Sequence, residues 1–166
     1  MALELVDGLL RTDEVLELFE EYTGWIVAQD AATAAVLGAQ GYAEERAALS
    51  ERYGPPGGKL LLALADGEPA GCAALHAFGD DGACELKRLY VREAYRGCGA
   101  AGALVRALLA FARERSYTHV LLDTLPFMGP AIAMYERLGF RRVGAYYPSP
   151  YEGTIYMRLD LGGGKY

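Results

Sequence analysis

Residues 89–102 of the chain read LYVREAYRGCGAAG, and the fold is organised around this stretch. Its apolar start is typical of the end of a strand, and the small residues at 99–102 are typical of the first turn of a long helix. The first amides of a helix lack intrahelical partners and lie at the positive end of its dipole. Because Gly97 and Gly99 have no side chains, an anion could approach these amides closely. The stretch therefore predicts a phosphate-binding loop over residues 96–102.

Two common nucleotide-binding motifs are absent from this loop. The chain has no GxxxxGK(S/T) sequence, which excludes a Walker loop, and its glycines do not form GxGxxG. The strand before the loop is also predicted to be antiparallel to its neighbours rather than part of a βαβ unit. From the loop sequence alone, Gly97 and Gly99 could equally serve only to turn the chain into a helix. The flanking sequence is needed to distinguish this role from phosphate binding.

Outward from the loop, hydrophobic periodicity predicts a mixed, mostly antiparallel α/β sheet with helices on both faces. Asp66-Gly67 predicts a tight hairpin, and the sequence GPPGG at 54–58 ends the N-terminal helical region. The predicted strands cover residues 2–6, 60–65, 68–78, 83–91, 120–124, 140–146 and 154–159. The predicted helices cover residues 12–22, 31–53 with a break near Gly38 or Gly41, 100–115 and 131–138.

With 166 residues the chain is expected to form one domain over 1–166, with a disordered tail at 161–166. The composition, 52% hydrophobic and 23% charged, is that of a globular protein. A net charge of −6 argues against a nucleic-acid partner, because phosphate contacts need clustered Lys and Arg. Cys72, Cys84 and Cys98 have no spacing that predicts disulfides or a metal site. No signal peptide or membrane span is visible, so a cytoplasmic location without membrane binding is expected.

Two motifs resemble those of the GNAT superfamily of N-acetyltransferases. Residues 96–101, RGCGAA, fit the coenzyme motif Q/R-x-x-G-x-G/A at every specified position after a predicted strand. Residues 131–140, AIAMYERLGF, fit the second signature A-x-x-x-Y-x-x-x-G-F. The resemblance is clearest over residues 60–159. Residues 122–125 and 146–150 look closer still to a subgroup of uncharacterised bacterial members.

The resemblance implies acetyl-CoA as the cosubstrate and a sheet that is splayed between its fourth and fifth strands. The pantetheine arm would lie in that gap beside Leu89, Tyr90 and Val91, and the pyrophosphate would lie on the loop. The implied pyrophosphate-binding residues are Arg96, Gly97, Cys98, Gly99, Ala100, Ala101 and Gly102. The family often has an asparagine near the start of the second-signature helix, whereas this chain has PFMGP at 126–130. This departure affects how the arm is fixed and not whether it binds.

Two side chains match catalytic groups of the family. An amine with a pKa of about 10.4 is almost entirely protonated at pH 7 and needs a base before it can attack a thioester. Glu85 matches the catalytic glutamate of the family's histone-acetylating branch, although it could instead be a strand carboxylate paired with Lys87 or Arg88. Tyr135 matches the tyrosine of the second signature and could protonate the leaving thiolate, its alternative being a core side chain. Backbone amides of the fourth strand would stabilise the oxyanion.

The acceptor site is expected between the N-terminal helices and the segment that joins the last strands. Trp25, Tyr146, Tyr147 and Tyr151 could form an aromatic wall there, and the acidic charge of the chain favours a cationic amine. The tyrosines could equally only pack against their proline-containing loop. The expected partner is the amine of a small molecule or a peptide. Dimers are common on this fold, so a homodimer is one expectation.

The leading interpretation is an enzyme that transfers an acetyl group to a primary amine. A longer acyl-CoA donor is an alternative that depends on pocket width near residues 125–128. A non-catalytic CoA-binding or regulatory module is another, against which the intact Glu85 and Tyr135 argue. A structural subunit without coenzyme is a third, and the small residues of the loop argue against it. His76 and His119 lack triad-like partners in the pattern, so no nucleophilic triad is expected.

Overall fold

The computed structural model describes residues 1–162. Within them lies a seven-stranded sheet in the order β1-β2-β3-β4-β5-β7-β6, mostly antiparallel, with helices on both faces as the sequence predicted. The strands are β1 (Leu3–Asp7), β2 (Lys59–Ala65), β3 (Glu68–Phe78), β4 (Ala83–Val91), β5 (His119–Thr124), β6 (Arg141–Val143) and β7 (Ile155–Asp160). The helices are α1 (Thr12–Gln29), α2 (Ala34–Ala39), α3 (Tyr42–Ala47), α4 (Leu49–Tyr53), α5 (Ala100–Glu114) and α6 (Gly129–Arg137).

β4 lies between two differently built halves of the sheet. It pairs with β3 in antiparallel fashion and with β5 in parallel fashion. β4, α5 and β5 therefore form a βαβ unit, and the prediction that the strand before the loop lies outside such a unit is wrong. The pairing joins residues that are separated in the chain by the rest of β4, the loop and the whole of α5, and local periodicity carries no signal for the direction of such a distant partner.

β4 and β5 pair over a short distance only, as expected for the splayed sheet. Past Leu121, β5 continues to pair with β7 as far as Thr124, while no strand within residues 1–162 pairs with β4 on that side after Glu85. One edge of β4 is therefore open from Leu86 onward. The parallel pairs are Ala83 with His119, Cys84 with Val120, and Glu85 with Leu121.

The two faces of the sheet carry separate parts of the core. On one face, α5 buries the apolar stripe predicted from its periodicity. On the other face, Phe19 of α1 and Tyr53 of α4 are fully buried against Leu60 and Leu62 of β2. The sheet is thereby held rigidly on both sides. The buried α5 residues are Ala100, Leu104, Val105, Leu108, Leu109 and Ala112.

Several boundaries differ from the prediction. α1 runs seven residues past the predicted end, and Thr23, just beyond that end, satisfies its buried hydroxyl by donating to the Phe19 carbonyl at 2.9 Å. The second helical region breaks at Gly41, as predicted, where φ is +71°, and it breaks again at Ala48. The predicted strand at 140–146 is shorter because only three residues pair with β7.

The C-terminal tail is partly described. The amide of Leu161 donates to the carbonyl of Thr118 at 2.9 Å, so the chain is still held at this residue. Residues 163–166, which belong to the tail predicted to be disordered, lie outside the described residues.

A bulge in β4 turns Arg88 towards the helices that cover the sheet. The register between β3 and β4 shifts here, and Arg88 has a φ of +62°. Its buried guanidinium donates to both carboxylate oxygens of Glu45 in α3, each at 2.9 Å. Burial raises the pKa of Glu45, but the hydrogen bonds from Arg88 outweigh that effect and lower it. This bidentate pair fixes α3 to the sheet beside the open edge of β4.

Candidate active site

A cleft opens where β4 and β5 separate. Its walls come from α1, the segment 33–40, the middle of β4, the end of β5 and the start of α6. Its empty space, counted out into the solvent at its open mouth, is about 640 Å³. The bulge of β4 and the phosphate loop lie along the same strand, so one ligand could occupy both.

The loop at residues 96–102 has the geometry that the sequence predicted. Gly97 and Gly99 have φ angles of +85° and +90°, which residues other than glycine rarely adopt. Both glycines are exposed, and a Cβ atom at either would meet no atom within 4 Å. The backbone of the loop therefore faces open space.

The amides at the head of α5 are available to an external acceptor. The first helical hydrogen bond runs from Ala103 N to the Gly99 carbonyl at 3.0 Å, and no side chain in residues 1–162 caps this helix. Cys98 differs, because its amide already donates to the Tyr95 carbonyl at 3.4 Å. The amides of residues 99–102 could thus bind an anion, while Cys98 packs its side chain against the core under α5.

Two arginines flank the loop. Arg96 is exposed, and its Nε donates to the carbonyl of Val91 at 3.1 Å, which ties the loop to the end of β4. Arg106 lies back over the first turn of α5, where its Nη1 would be 2.9 Å from a Cβ at Gly102. Sequence reasoning missed Arg106. Its spacing of four residues from Gly102 on one helix face is the signal that could have found it.

The three β4 residues predicted to contact pantetheine do not all face the cleft. Leu89 lines it. Tyr90 and Val91 are paired with β3, and the hydroxyl of Tyr90 donates to Glu21 at 3.3 Å. The carbonyl of Val91 is taken by Arg96, so contact with a ligand in the gap is expected mainly at the bulge.

Tyr135 places its side chain in the wall of the cleft. It is buried, and its ring packs against Phe140 with 5.6 Å between ring centroids. No group in residues 1–162 forms a hydrogen bond with its hydroxyl. Burial raises the pKa of Tyr135 well above its usual value, so this hydroxyl remains a protonated donor. Tyr22 of α1, which the sequence did not indicate, lines the same cleft, and burial raises its pKa to about 12.

Glu85 lies at the last parallel pair of β4 and β5, behind the cleft wall rather than in it. His76 Nε2 lies 2.9 Å from its Oε1, and the Tyr146 hydroxyl donates to its Oε2 at 2.5 Å. Lys87 Nζ is 3.8 Å from Oε2, as one alternative predicted, whereas Arg88 pairs elsewhere. Burial raises the pKa of Glu85, but the hydrogen bond from His76, the charge of Lys87 and the bond from Tyr146 lower it to about 2.

Asp123 is a cleft residue that no catalytic motif indicated. Its carboxylate is 8% exposed and lies 3.4 Å from the ammonium group of Lys87. The hydroxyl of Tyr147 donates to Oδ2 at 2.9 Å, and Gln40 Nε2 donates to the same oxygen at 3.1 Å. Lys87, Asp123 and Gln40 all line the cleft, so its inner end carries both signs of charge.

The predicted aromatic wall forms only in part. Tyr146 and Tyr147 come together with Tyr156, with ring centroids 5.3–5.6 Å apart. The hydroxyl of Tyr146 donates to Glu85 and that of Tyr147 donates to Asp123, and neither tyrosine lines the cleft. Trp25 is not in this cluster; its ring packs edge-on against Phe127, with centroids 5.8 Å apart. The missed partner Tyr156 comes from β7, opposite Asp123.

This arrangement allows two ligands to meet. Open amides and Arg106 can hold an anionic ligand at the loop, and the inner end of the cleft, where Lys87 and Asp123 meet, can hold a second polar ligand. The protonated Tyr135 hydroxyl belongs to a residue that lines the same cleft as Asp123. None of Cys72, Cys84 and Cys98 lines the cleft, so the geometry supports direct transfer between ligands rather than a covalent cysteine intermediate.

Two further properties concern residues 1–162 as a whole. No group of three or more His, Cys, Asp and Glu side chains is arranged to hold a metal ion. No helix in this part of the chain has the length and apolar character needed to span a membrane.

Comparison with known sequences assigns a family. The sequence model of the acetyltransferase (GNAT) family matches residues 13–140. An uncharacterised N-acetyltransferase of Schizosaccharomyces pombe is 39% identical over 119 residues, which cover 71% of this chain and 73% of that protein. N-acetylaspartate synthetase of Homo sapiens is 41% identical over 91 residues. That match covers 55% of this chain but only 30% of the relative.

Comparison with solved structures agrees on the fold. A GNAT-family acetyltransferase of Staphylococcus aureus Mu50 superimposes with a TM-score of 0.74 at 16% identity, covering 96% of this chain and 99% of that one. The PaiA N-acetyltransferase of Thermoplasma acidophilum, solved with coenzyme A, gives 0.73 at 16% identity with the same coverage. The chain therefore belongs to the acetyltransferase (GNAT) family, and its recognition as an acetyl-CoA-dependent N-acetyltransferase is confirmed.

Proposed function

We propose that this enzyme moves an acetyl group from acetyl-CoA to a primary amine of a small molecule or a peptide by direct attack in the cleft. The observation that carries the proposal is the separation of β4 from β5 after Glu85, with the open loop at one end of the gap and the Tyr135 hydroxyl in its wall. A screen of thiol release from acetyl-CoA against amines, amino acids and peptides tests it. No release above the rate without acceptor would contradict it.

The residues present fit a coenzyme that carries a diphosphate. Open space in front of Gly97 and Gly99 and the uncapped start of α5 leave room and donors for phosphate oxygens. Each charge-assisted hydrogen bond contributes on the order of 1.5–3 kcal/mol. When bound, acetyl-CoA supplies the acetyl group as an activated thioester. Leu89 and the bulge of β4 would contact its arm, and Arg96 and Arg106 would add positive charge near the loop.

Arg106 provides a prediction for this loop. Replacing Arg106 by glutamine should weaken CoA binding about 5- to 10-fold, the effect of one partly exposed charge contact. Calorimetric titration with CoA measures the change. Arg113→Gln is the matched control, because Arg113 is exposed near the far end of the same helix and should leave the affinity unchanged. Equal affinities for the two variants would separate Arg106 from the site.

Tyr135 is proposed as the acid that protonates the departing sulfur. Its support is the hydroxyl without a partner in residues 1–162, kept protonated by burial in the cleft wall. The acceptor ammonium must lose one proton before it attacks, so the overall reaction yields the amide, the CoA thiol and one released proton. A positioned acid typically contributes about 10²- to 10⁴-fold to such a step.

The surroundings of Glu85 favour a positioning role for this residue over that of a direct base for the amine proton. A carboxylate with a pKa of about 2 would take a proton from an amine of pKa about 10.4 at a cost of roughly 11 kcal/mol. Glu85 contacts Lys87, and Lys87 lines the cleft beside Asp123. We therefore propose that Glu85 positions Lys87 and Tyr146.

Glu85→Gln separates the two roles by its pH profile. Since the pKa of Glu85 in the folded chain lies near 2, its carboxylate stays charged above about pH 4. Its pairing contributes full stability to the fold above its ordinary pKa of 4.5, and this contribution is lost as the pH falls from there through about 2. For a positioning residue we expect kcat to fall about tenfold while the acid limb of kcat/KM keeps its midpoint. Disappearance of the acid limb in the variant would identify Glu85 as the direct base.

A cytoplasmic location is also proposed. Its support is that Cys72, Cys84 and Cys98 are all free thiols, as expected in a reducing compartment. Burial raises the pKa of both Cys72 and Cys84 to about 12, so these two thiols behave as core groups and carry no chemistry of their own.

A further inference from the structure

Under the proposed function, the cleft must hold the coenzyme and the acceptor at the same time. The thioester end of the coenzyme and the acceptor amine share about 640 Å³, a figure that already includes space at the open mouth. The acceptor part is bounded by α1, the segment 33–40 and the end of β5. A peptide acceptor would require this part of the cleft to continue outward as a groove along which the peptide could lie.

The first barrier to such a groove is a tie through Gln40. Its Nε2 donates to the hydroxyl of Tyr147 and to Asp123 Oδ2, both at 3.1 Å. Its Oε1 accepts from Arg88 Nη1 at 3.0 Å, and Arg88 is itself held by Glu45. The amide of Gln40 is therefore fixed at both ends. It joins the helical cover, residues 30–47, to the β6–β7 loop, residues 144–154, across the inner end of the cleft.

A second tie joins the same two segments further out. The hydroxyl of Tyr151 in the β6–β7 loop donates to Asp30 Oδ2 at 2.9 Å, and the other oxygen of Asp30 accepts the amide of Ala32 at 3.0 Å. The loop is also braced from within. Its Ser149 and Thr154 hydroxyls are 2.7 Å apart, and Tyr156 donates to the carbonyl of Tyr147 at 2.8 Å.

A third contact lies on the side of α6. Trp25 of α1 packs against Phe127, which precedes α6, with ring centroids 5.8 Å apart. α1 and the helical cover are therefore joined to the β6–β7 loop by two hydrogen-bonded ties and to the β5–α6 connection by one aromatic contact. An extended peptide of six residues is about 20 Å long and needs a groove that is open at both ends. The ties cross the path that such a groove would take.

We infer that the acceptor is a small free amine, and not an amine carried on a peptide chain or a protein surface. This inference rests on the proposed function and narrows it. A small molecule can enter the cleft whole, with its ammonium group beside the Asp123 carboxylate, which is 8% exposed. A peptide would have to break the ties of Gln40 and Tyr151, and breaking the first removes a hydrogen bond from the largely buried Asp123 carboxylate.

Matched pairs of acceptors test the inference in the intact enzyme. Free lysine is compared with a hexapeptide that carries an internal lysine and a blocked N-terminus. A free amino acid is compared with a hexapeptide that begins with the same residue. Thiol release should show kcat/KM at least about 100-fold higher for the free member of each pair. Peptides used as well as the free amines would overturn the inference alone, whereas no release with any acceptor would overturn the proposed function and this inference with it.

Opening the outer tie provides the second readout. Tyr151→Ala removes the aromatic ring and its hydrogen bond to Asp30. It should lower the ratio of kcat/KM for the free amine to kcat/KM for the peptide about tenfold. Glu152→Ala is the control, because Glu152 is exposed in the same loop, and it should keep the wild-type preference. If Tyr151→Ala also kept that preference while remaining folded and active, the tie would not be what excludes peptides, and the inference would be overturned.

Discussion

Gly99→Glu should abolish measurable binding of CoA. Gly99 has a φ of +90° and faces open space at the head of α5, so a glutamate side chain would project into the place where the anion is expected. It would also bring a negative charge to the positive end of the helix dipole. We expect affinity to fall at least about 1,000-fold, or roughly 4 kcal/mol. Isothermal titration calorimetry with CoA measures it.

The control for this variant is Gly79→Glu. Gly79 also has a positive φ, +67°, and a Cβ there would come no closer than 3.9 Å to another atom. It lies in the turn between β3 and β4, at the opposite end of β4 from the loop. The control thus has similar backbone strain and the same added charge, but it should bind CoA normally. Unchanged affinity in Gly99→Glu would refute the loop assignment, and equal losses in both would indicate general destabilisation.

Tyr135→Phe should lower kcat about 100-fold or more while leaving the Kd of acetyl-CoA within about twofold. The hydroxyl forms no hydrogen bond within residues 1–162, so its removal leaves no buried partner unsatisfied there. The phenyl ring can keep its packing against Phe140. The effect should therefore appear in turnover and not in folding. Steady-state kinetics and calorimetry together separate the two.

Tyr22→Phe is the informative comparison for Tyr135. Tyr22 of α1 lines the same cleft, and its hydroxyl also lacks a hydrogen-bond partner among the described residues. We expect its loss to change kcat much less, because α1 lies on the acceptor side. Wild-type turnover in Tyr135→Phe would remove Tyr135 from the acid role. A large loss in Tyr22→Phe alone would assign that role to Tyr22.

The sequence was most informative where the cause of the structure is local. The bounds of β3 and β4 agree with the prediction at both ends, because alternating strand residues and turn dipeptides lie side by side in the chain. The loop was predictable for the same reason, since glycines that need positive φ and small residues at a helix start are read within seven positions. Arg106 was missed because its position beside the loop depends on the conformation of a long side chain, which the sequence does not indicate.

The inner end of the cleft was less predictable because its contacts join distant parts of the chain. Gln40 meets Tyr147 across 107 positions, and no periodicity signals such a pair. His76 was expected to have no functional partner, yet cross-strand register places it 2.9 Å from Glu85. The bulge at Arg88, where a residue other than glycine adopts positive φ, shifts the β3–β4 register only for the pairs beyond it. Such a bulge has no simple sequence signal.

The position of β7 between β5 and β6 has a consequence for biosynthesis. β6 pairs with β7 alone, and β5 has six residue pairs with β7 but three with β4. The half of the sheet that carries Asp123 therefore cannot complete its ladder until residues 155–160 have left the ribosome. The meander of β1 to β4 can form earlier. During synthesis β4 is therefore in place first, and the cleft between β4 and β5 is completed last.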